Sequence, residues 1–327
     1  MEAAAQQVGP DAIFEVAMGF MASKHLFVAN EIGLFAALEE GPATLEQLAE
    51  RVGVPARTTR IVADAMVSLR FLEREDDNYR NSVLADSFLS GPMNMSAMLR
   101  FFNAIGYPTW MGLERAVRTG EPAREAFDEE QQAIFSEGVE AFSKGSAHAL
   151  AETYDFGRHA RLLDIGGGTG SFLVAILSAH PGLEGTLFEL PEVTEIAERK
   201  LAALPVADRV SVVAGDVFED ELPTGHDLVL LANVIHYFLP ERNVDLVQRI
   251  RGAVEPGARL LLVDFWTDPT HTQPLPALLM AGEFLAQVGG DVYSEEEMNG
   301  WLTNAGWRSL EMLPLAGPIN AILAEAV

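Results

Sequence analysis

The stretch Leu162-Leu163-Asp164-Ile165-Gly166-Gly167-Gly168-Thr169-Gly170 decides how the rest of this chain reads. Apolar residues lead to an aspartate at the end of what reads as a buried parallel strand. Glycines then turn the chain, and Ser171-Phe172-Leu173-Val174-Ala175-Ile176-Leu177 opens a helix. Glycine suits such a turn because it lacks a Cβ, tolerates positive φ and lets a ligand lie against the backbone. Units of this kind bind nucleotides at the carboxyl ends of sheet strands.

The neighbouring segments sharpen this reading. The next strand, Gly185-Thr186-Leu187-Phe188-Glu189-Leu190-Pro191, brings a carboxylate 25 residues after Asp164. An acid about 20 residues past the glycine turn is where a ribose diol is held by two hydroxyl-to-carboxylate hydrogen bonds. A dinucleotide enzyme would meet that spacing too, so the loop has to separate the two. Gly166 to Gly170 lacks the G-x-G-x-x-G phosphate fingerprint, because Ser171 stands where the third glycine would fall, and no Gly-Lys-Ser/Thr follows. A ligand with a ribose and no pyrophosphate fits better, S-adenosylmethionine being the common one. A third strand leads into Gly215-Asp216-Val217-Phe218, where Asp216 can accept from an adenine amino group between apolar walls. A fourth runs from His226 into Asn233-Val234-Ile235-His236-Tyr237-Phe238. Pro256-Gly257 precedes a fifth that ends in Asp264, and a strand pair near residues 307–325 follows.

Taken in order, these segments, with Phe188-Glu189-Leu190-Pro191-Glu192-Val193 and Gly289-Gly290, resemble class I S-adenosylmethionine-dependent methyltransferases over residues 160–325. The whole chain resembles the O-methyltransferases that act on plant phenolics, hydroxyindoles and microbial aromatic metabolites. The fold class this implies is α/β, a Rossmann-like doubly wound methyltransferase sheet preceded by a mainly α winged-helix dimerisation domain. The expected division is residues 1–100 for the winged-helix domain, 101–150 for a helical connector contributing to the substrate pocket, and 151–327 for the cofactor-binding domain. The resemblance implies S-adenosylmethionine as cofactor, S-adenosylhomocysteine as product, a small-molecule acceptor and a homodimer. Cofactor contacts are expected from Asp164, Gly166, Gly168, Glu189, Leu190, Asp216, Val217 and Asn233.

Composition bounds the alternatives. A chain of 327 residues is long enough for about two domains. The 49% hydrophobic share allows a full core, and zero cysteines exclude disulfides, thiolate metal sites and a cysteine nucleophile. No uninterrupted apolar run of about 18 residues is present, and Met1-Glu2-Ala3 begins no charged-then-apolar leader, so a cytoplasmic protein away from the membrane is expected.

Residues 25–90 read as a winged helix-turn-helix. Thr44 caps a helix ending at Gly53, Pro55 starts another carrying Arg57, Arg60 and Asp64, and an acidic wing turns at Asp76-Asp77-Asn78. Alone, this motif suggests a DNA reader. The formal net charge of −26 argues against a nucleic-acid partner, because phosphates would be repelled. The resemblance assigns the domain to dimerisation instead, an N-terminal helix pair from each subunit embracing the other, and residues 11–39 read as amphipathic enough for that, with Ile13, Phe14, Val16, Ala17, Phe20, Met21 and Leu26 recurring at helical spacing.

Methyl transfer from a sulfonium is an in-line displacement, so an enzyme must place the acceptor atom about 3 Å from the methyl carbon and exclude water. A phenol with a pKa near 10 also has to lose its proton. His236, just past the fourth strand, faces the cofactor crevice and stands where the resembled family keeps its catalytic histidine. His25, His148, His159, His180, His226 and His271 occupy less suitable places, and their spacing matches no metal-ligand signature, so no metal is expected. The family commonly has His-Asp-Trp where this chain has His236-Tyr237-Phe238, and a glutamate where this chain has Val292. His236 would then rely on Asp264, with Asp291 as a fallback. These departures leave open an acceptor that needs positioning more than deprotonation, a carbon or nitrogen acceptor, or a scaffold that binds the cofactor without methylating. Trp110, Met280 and Phe284 are the expected pocket wall, with Gln287 on the same helix.

Overall fold

The structure is a computed structural model describing residues 9–91 and 93–327. The Met1-Glu2-Ala3 leader reading lies outside those residues. The chain divides into two compact units, one comprising the chain up to Tyr107 with Asp128–Ala141, the other Pro108–Phe127 with Phe142–Val327. The stretch 101–150 is therefore shared between them.

In the first unit, the helix Leu45–Val52 starts at a capping box in which the Thr44 hydroxyl accepts from the Gln47 amide and Gln47 reaches back to the Thr44 amide. It ends at Gly53, whose φ of 65° only glycine adopts without strain. After Pro55 the helix Ala56–Ser68 buries Thr59, Ala63 and Met66. The strands β1 (Ala43–Thr44), β2 (Leu72–Glu75) and β3 (Asn78–Asn81) form a small sheet in the order β1-β3-β2, the wing read from the sequence. On the second helix Asp64 pairs with Arg60 at 2.9 Å and with Arg74 at 3.5 Å, and accepts from the Tyr79 hydroxyl at 2.7 Å. Phe101, Phe102 and Phe135 pack ring against ring.

The helix Asp11–Glu31 departs from the amphipathic expectation. Ile13, Phe14, Val16, Met18, Phe20 and Met21 are all exposed and spread around its circumference, and among its residues Ala29 is the one fully buried. It has 21 residues and a mean hydropathy of 1.4 over its most apolar window, so by length and composition alone it could cross a membrane. Single charged and polar residues interrupt it, and for that reason no apolar run stood out in the sequence.

The second unit is built on one sheet. Its strands are β4 (Arg161–Ile165), β5 (Glu184–Glu189), β6 (Val210–Ala214), β7 (Leu228–Ala232), β8 (Arg259–Thr267), β9 (Tyr293–Ser294), β10 (Trp307–Pro314) and β11 (Ile319–Ala326). Their order is β10-β11-β8-β7-β4-β5-β6, with β9 paired to β8. Strands β4 to β8 are mutually parallel, while β11 lies antiparallel to β8 and β10 antiparallel to β11. Buried on both faces, β7 reads Leu-Val-Leu-Leu-Ala without alternation, as central parallel strands do. From β4 the chain steps outward through β5 and β6, then returns to place β7 on the other side of β4. Such a reversal opens a crevice at the carboxyl ends of the two central strands. Truncating Leu230, which is wholly buried in β7, to alanine is expected to cost about 2–5 kcal/mol. Urea unfolding followed by circular dichroism measures it.

Candidate active site

Four strand ends and the interior of β8 supply the residues around this crevice; β8 does not end at Asp264 as expected but runs on to Thr267, where it pairs with β9. After β4, Gly166, Gly168 and Gly170 take φ of 68°, 59° and 85°. A Cβ on Gly166 would press on Val234, which follows β7, and one on Gly167 would overlap the Asp164 carboxylate. Glycine is thus required here both by conformation and by contact. Gly170 leads into the helix Ser171–Ala179.

Asp164 lies beneath this loop with no exposed surface, and neither carboxylate oxygen has a hydrogen-bond partner. Burial, helped by the charge of Glu189, pushes its pKa up to about 7. A carboxylate desolvated without a partner is costly, and a cation or donor brought to the loop would relieve it. At the end of β5, the half-buried Glu189 accepts from the backbone amides of Leu190 and Gly168. Burial raises its pKa and those amides oppose the rise. At the end of β6, Asp216 accepts from the Phe218 amide at 2.8 Å with one oxygen, leaving the other free. Val217 and Phe218 are partly buried, and Phe218 meets Phe238 edge to face at 5.0 Å. Asn233, at the end of β7, has a φ of 58° and donates to the Ser143 hydroxyl at 3.3 Å. Asparagine tolerates that left-handed conformation better than most side chains.

The turn Ile235–Tyr237 is pinned from three sides. Asn243, wholly buried, donates to the carbonyls of Ile235 and Phe238, both at 3.0 Å. The Tyr293 hydroxyl donates to the Phe238 carbonyl at 2.6 Å. The Asp291 amide donates to the His236 carbonyl at 3.2 Å, and a Cβ on Gly290 would overlap that carbonyl oxygen. The Gly289-Gly290 pair therefore ends the helix Leu275–Val288, through the φ of 74° at Gly289, and lets the chain touch the His236 turn.

His236 itself is 6% exposed, with Nδ1 2.8 Å from Oδ1 of the buried Asp264. Asp264 also accepts from the Phe265 amide at 2.9 Å. Phe284 lies parallel to the imidazole, centroids 3.6 Å apart and planes 3° from parallel, and Tyr237 stacks on it at 4.8 Å. Two rings that close would overlap if they shared a face, so they take opposite faces of the imidazole. Carboxylate and rings together fix both the vertex and the plane of His236. Val292 is buried and offers no hydrogen bond, and the Asp291 carboxylate accepts instead from the Val292 amide at 2.7 Å.

Leu275–Val288 also carries Glu283, 4% exposed, which the sequence reading passed over. It accepts from the Trp110 indole and from the Gln287 amide, the latter at 3.0 Å. Burial raises its pKa and both bonds oppose that. A single acid inside the apolar run Leu-Pro-Ala-Leu-Leu-Met-Ala-Gly-Glu-Phe-Leu was the available signal. Trp110 lies over Gly282, and Met280 is partly buried against the same core.

The comparisons with known proteins agree with this architecture. Residues 111–308 match the O-methyltransferase domain family, and residues 14–91 match the O-methyltransferase dimerisation domain. The chain belongs to the O-methyltransferase family. It is 30% identical to 3-hydroxy-5-methyl-1-naphthoate 3-O-methyltransferase of Streptomyces sahachiroi, over 96% of this chain and 94% of that one. It is 32% identical to the tetracenomycin polyketide synthesis 8-O-methyl transferase TcmO of Streptomyces glaucescens, over 95% of each. Human N-acetylserotonin methyltransferase, solved in complex with S-adenosylmethionine, superposes with a TM-score of 0.88 at 28% identity, covering 100% and 99% of the two chains. This chain is an S-adenosylmethionine-dependent methyltransferase.

The buried acid yields a pH prediction. The native pKa of Asp164, about 7, lies above the unfolded value of 3.8, so the native state holds the extra proton between them. Stability of the ligand-free protein therefore falls as pH rises from about 4 to 7, by on the order of a few kcal/mol. In Asp164→Asn this loss should disappear, raising the melting temperature at pH 8 above that of the wild type. Melting curves across pH test it, and an unchanged pH dependence in the variant would contradict the assignment.

Proposed function

We propose that this enzyme methylates a hydroxyl of a small aromatic or polyketide-type metabolite, with His236 as general base and Asp264 as its partner. The observation that carries the reading is the His236–Asp264 pair, buried at the crevice where the glycine loop and the carboxylates of β5 and β6 converge. A carboxylate on Nδ1 fixes the tautomer that leaves the Nε2 lone pair free, and it stabilises the imidazolium once the proton arrives. The named substrates of the relatives, a naphthoate and a polyketide, support an aromatic acceptor.

The residues present fit the cofactor. The orphaned Asp164 carboxylate answers a cationic amino group, Glu189 a ribose diol, and the free oxygen of Asp216 an adenine amine. Gly166 and Gly168 let the ligand approach the backbone, while Leu190, Val217 and Asn233 complete the cradle. When bound, S-adenosylmethionine supplies an electrophilic methyl group that needs no activation by the protein. The chain's own task is to hold the acceptor hydroxyl in line, exclude water and take the hydroxyl proton at His236 Nε2. Trp110, Met280 and Phe284 wall the acceptor side, Phe284 through the face-to-face stack that holds the base. The dimerisation domain and the exposed apolar residues of Asp11–Glu31 support a homodimer, which would cover that surface.

Replacing His236 by alanine is expected to lower kcat for a phenolic acceptor by on the order of 10²-fold or more, with little change in S-adenosylhomocysteine affinity. Steady-state kinetics with calorimetry checks both, and unchanged turnover would remove His236 as the base. Separately, Glu189→Ala should weaken S-adenosylhomocysteine binding by about 1–3 kcal/mol, the worth of a lost charge-assisted pair. Unaltered affinity would mean that the ribose lies elsewhere.

A further inference from the structure

Near the His236 turn, the second unit holds a guanidinium with no acid to answer it. The Nε of Arg124 donates to the main-chain oxygen of Gln287 at 3.0 Å, and its guanidinium lies 4.1 Å over the Phe127 ring. Two contacts therefore hold the group in place. Its Nη groups make no hydrogen bond and no ion pair among the described residues, although the chain carries 48 acidic residues against 22 basic ones. The nearby acid on the same helix, Glu283, is already taken up by Trp110 and Gln287.

Two further polar groups beside it are also unanswered. Gln287 is 6% exposed, yet its Oε1 is buried with no partner. Tyr237 is 40% exposed, its hydroxyl makes no hydrogen bond among the described residues, and its ring stacks on His236. Gln287 lies one helical turn beyond Phe284, which covers the other face of His236. The Arg124 guanidinium is near enough to the Tyr237 hydroxyl to be the charge that opposes the rise in its pKa. A helix-capping role accounts for the Nε contact. It leaves the paired Nη donors, a planar fork suited to two carboxylate oxygens, without a function.

We propose that Arg124 reads a carboxylate on the methyl acceptor, so that the preferred acceptor class is a hydroxylated aromatic acid. Gln287 and Tyr237 then offer an acceptor and a donor for its neighbouring polar substituents. This rests on the methyltransferase reading of the same site. In an acidic protein a fixed guanidinium is also what makes an anionic acceptor welcome, since the overall field repels it.

The test is calorimetry on the full chain saturated with S-adenosylhomocysteine, titrated with a hydroxynaphthoic acid, its methyl ester and naphthol. Wild type should bind the acid at least about 10-fold more tightly than the ester, as expected for a bidentate charged pair. Arg124→Gln should erase that preference while ester and S-adenosylhomocysteine affinities stay within about twofold. Arg124→Lys, which keeps the charge without the fork, should retain only part of the preference, and it serves if the glutamine variant does not fold. Equal affinity of wild type for acid and ester, or a preference surviving in Arg124→Gln, overturns the proposal. If S-adenosylhomocysteine itself does not bind, the methyltransferase reading fails first. If it binds and naphthol is methylated without any gain from the carboxylate, this inference alone fails.

Discussion

Two central strands, β4 and β7, run side by side with their connections leaving in opposite directions, and the active-site geometry follows from that reversal. The loop after β4 and the turn after β7 cannot be covered by their own crossovers, so both stay open at one end of the sheet. The contact between Gly166 and Val234 shows how tightly they approach. A side chain in place of that hydrogen would push the glycine loop off the turn that carries His236.

The same end of the sheet concentrates buried charge. Asp164 and Glu189 lie at the carboxyl ends of β4 and β5 and Asp264 inside β8, level with the end of β7, in an acidic protein, and each is handled differently. Asp264 is compensated by an imidazole and an amide, Glu189 by loop amides, and Asp164 by nothing among the described residues. Cost tolerated in the free protein and removed by a cationic ligand amounts to binding energy stored in the fold. The proposed base is arranged on the opposite principle. One carboxylate and two aromatic faces hold His236 before any ligand arrives, so no ordering cost falls on the chemical step.

The legible parts were those written as local pattern. Glycines at Gly166 to Gly170, the acid spacing from Asp164 to Glu189, and the lone histidine after a buried strand each need only neighbouring residues to be read. The support of His236 by Asp264 was also accessible, since β7 and β8 are parallel neighbours and Asp264 is level with the point where β7 gives way to the His236 turn. What escaped were contacts between residues far apart in sequence. Glu283 meets Trp110 across 173 positions, and nothing near either predicts the pairing. Phe284, read as pocket wall, also lies flat against the imidazole, a stacking contact that no local pattern announces. The helix Asp11–Glu31 hid its length behind single polar interruptions, because amphipathic pattern was sought where the exposed apolar surface runs around the cylinder.

The account stands or falls on whether His236 removes the acceptor's proton. The most direct measurement is the single-turnover methyl-transfer rate for a series of phenols of falling pKa, in wild type and in a variant with the imidazole removed. If His236 is the base, the variant's deficit should shrink steadily as the phenols become acidic enough to arrive ionised, and vanish for those ionised at the assay pH. A deficit of constant size across the series would contradict the account and leave His236 with positioning alone.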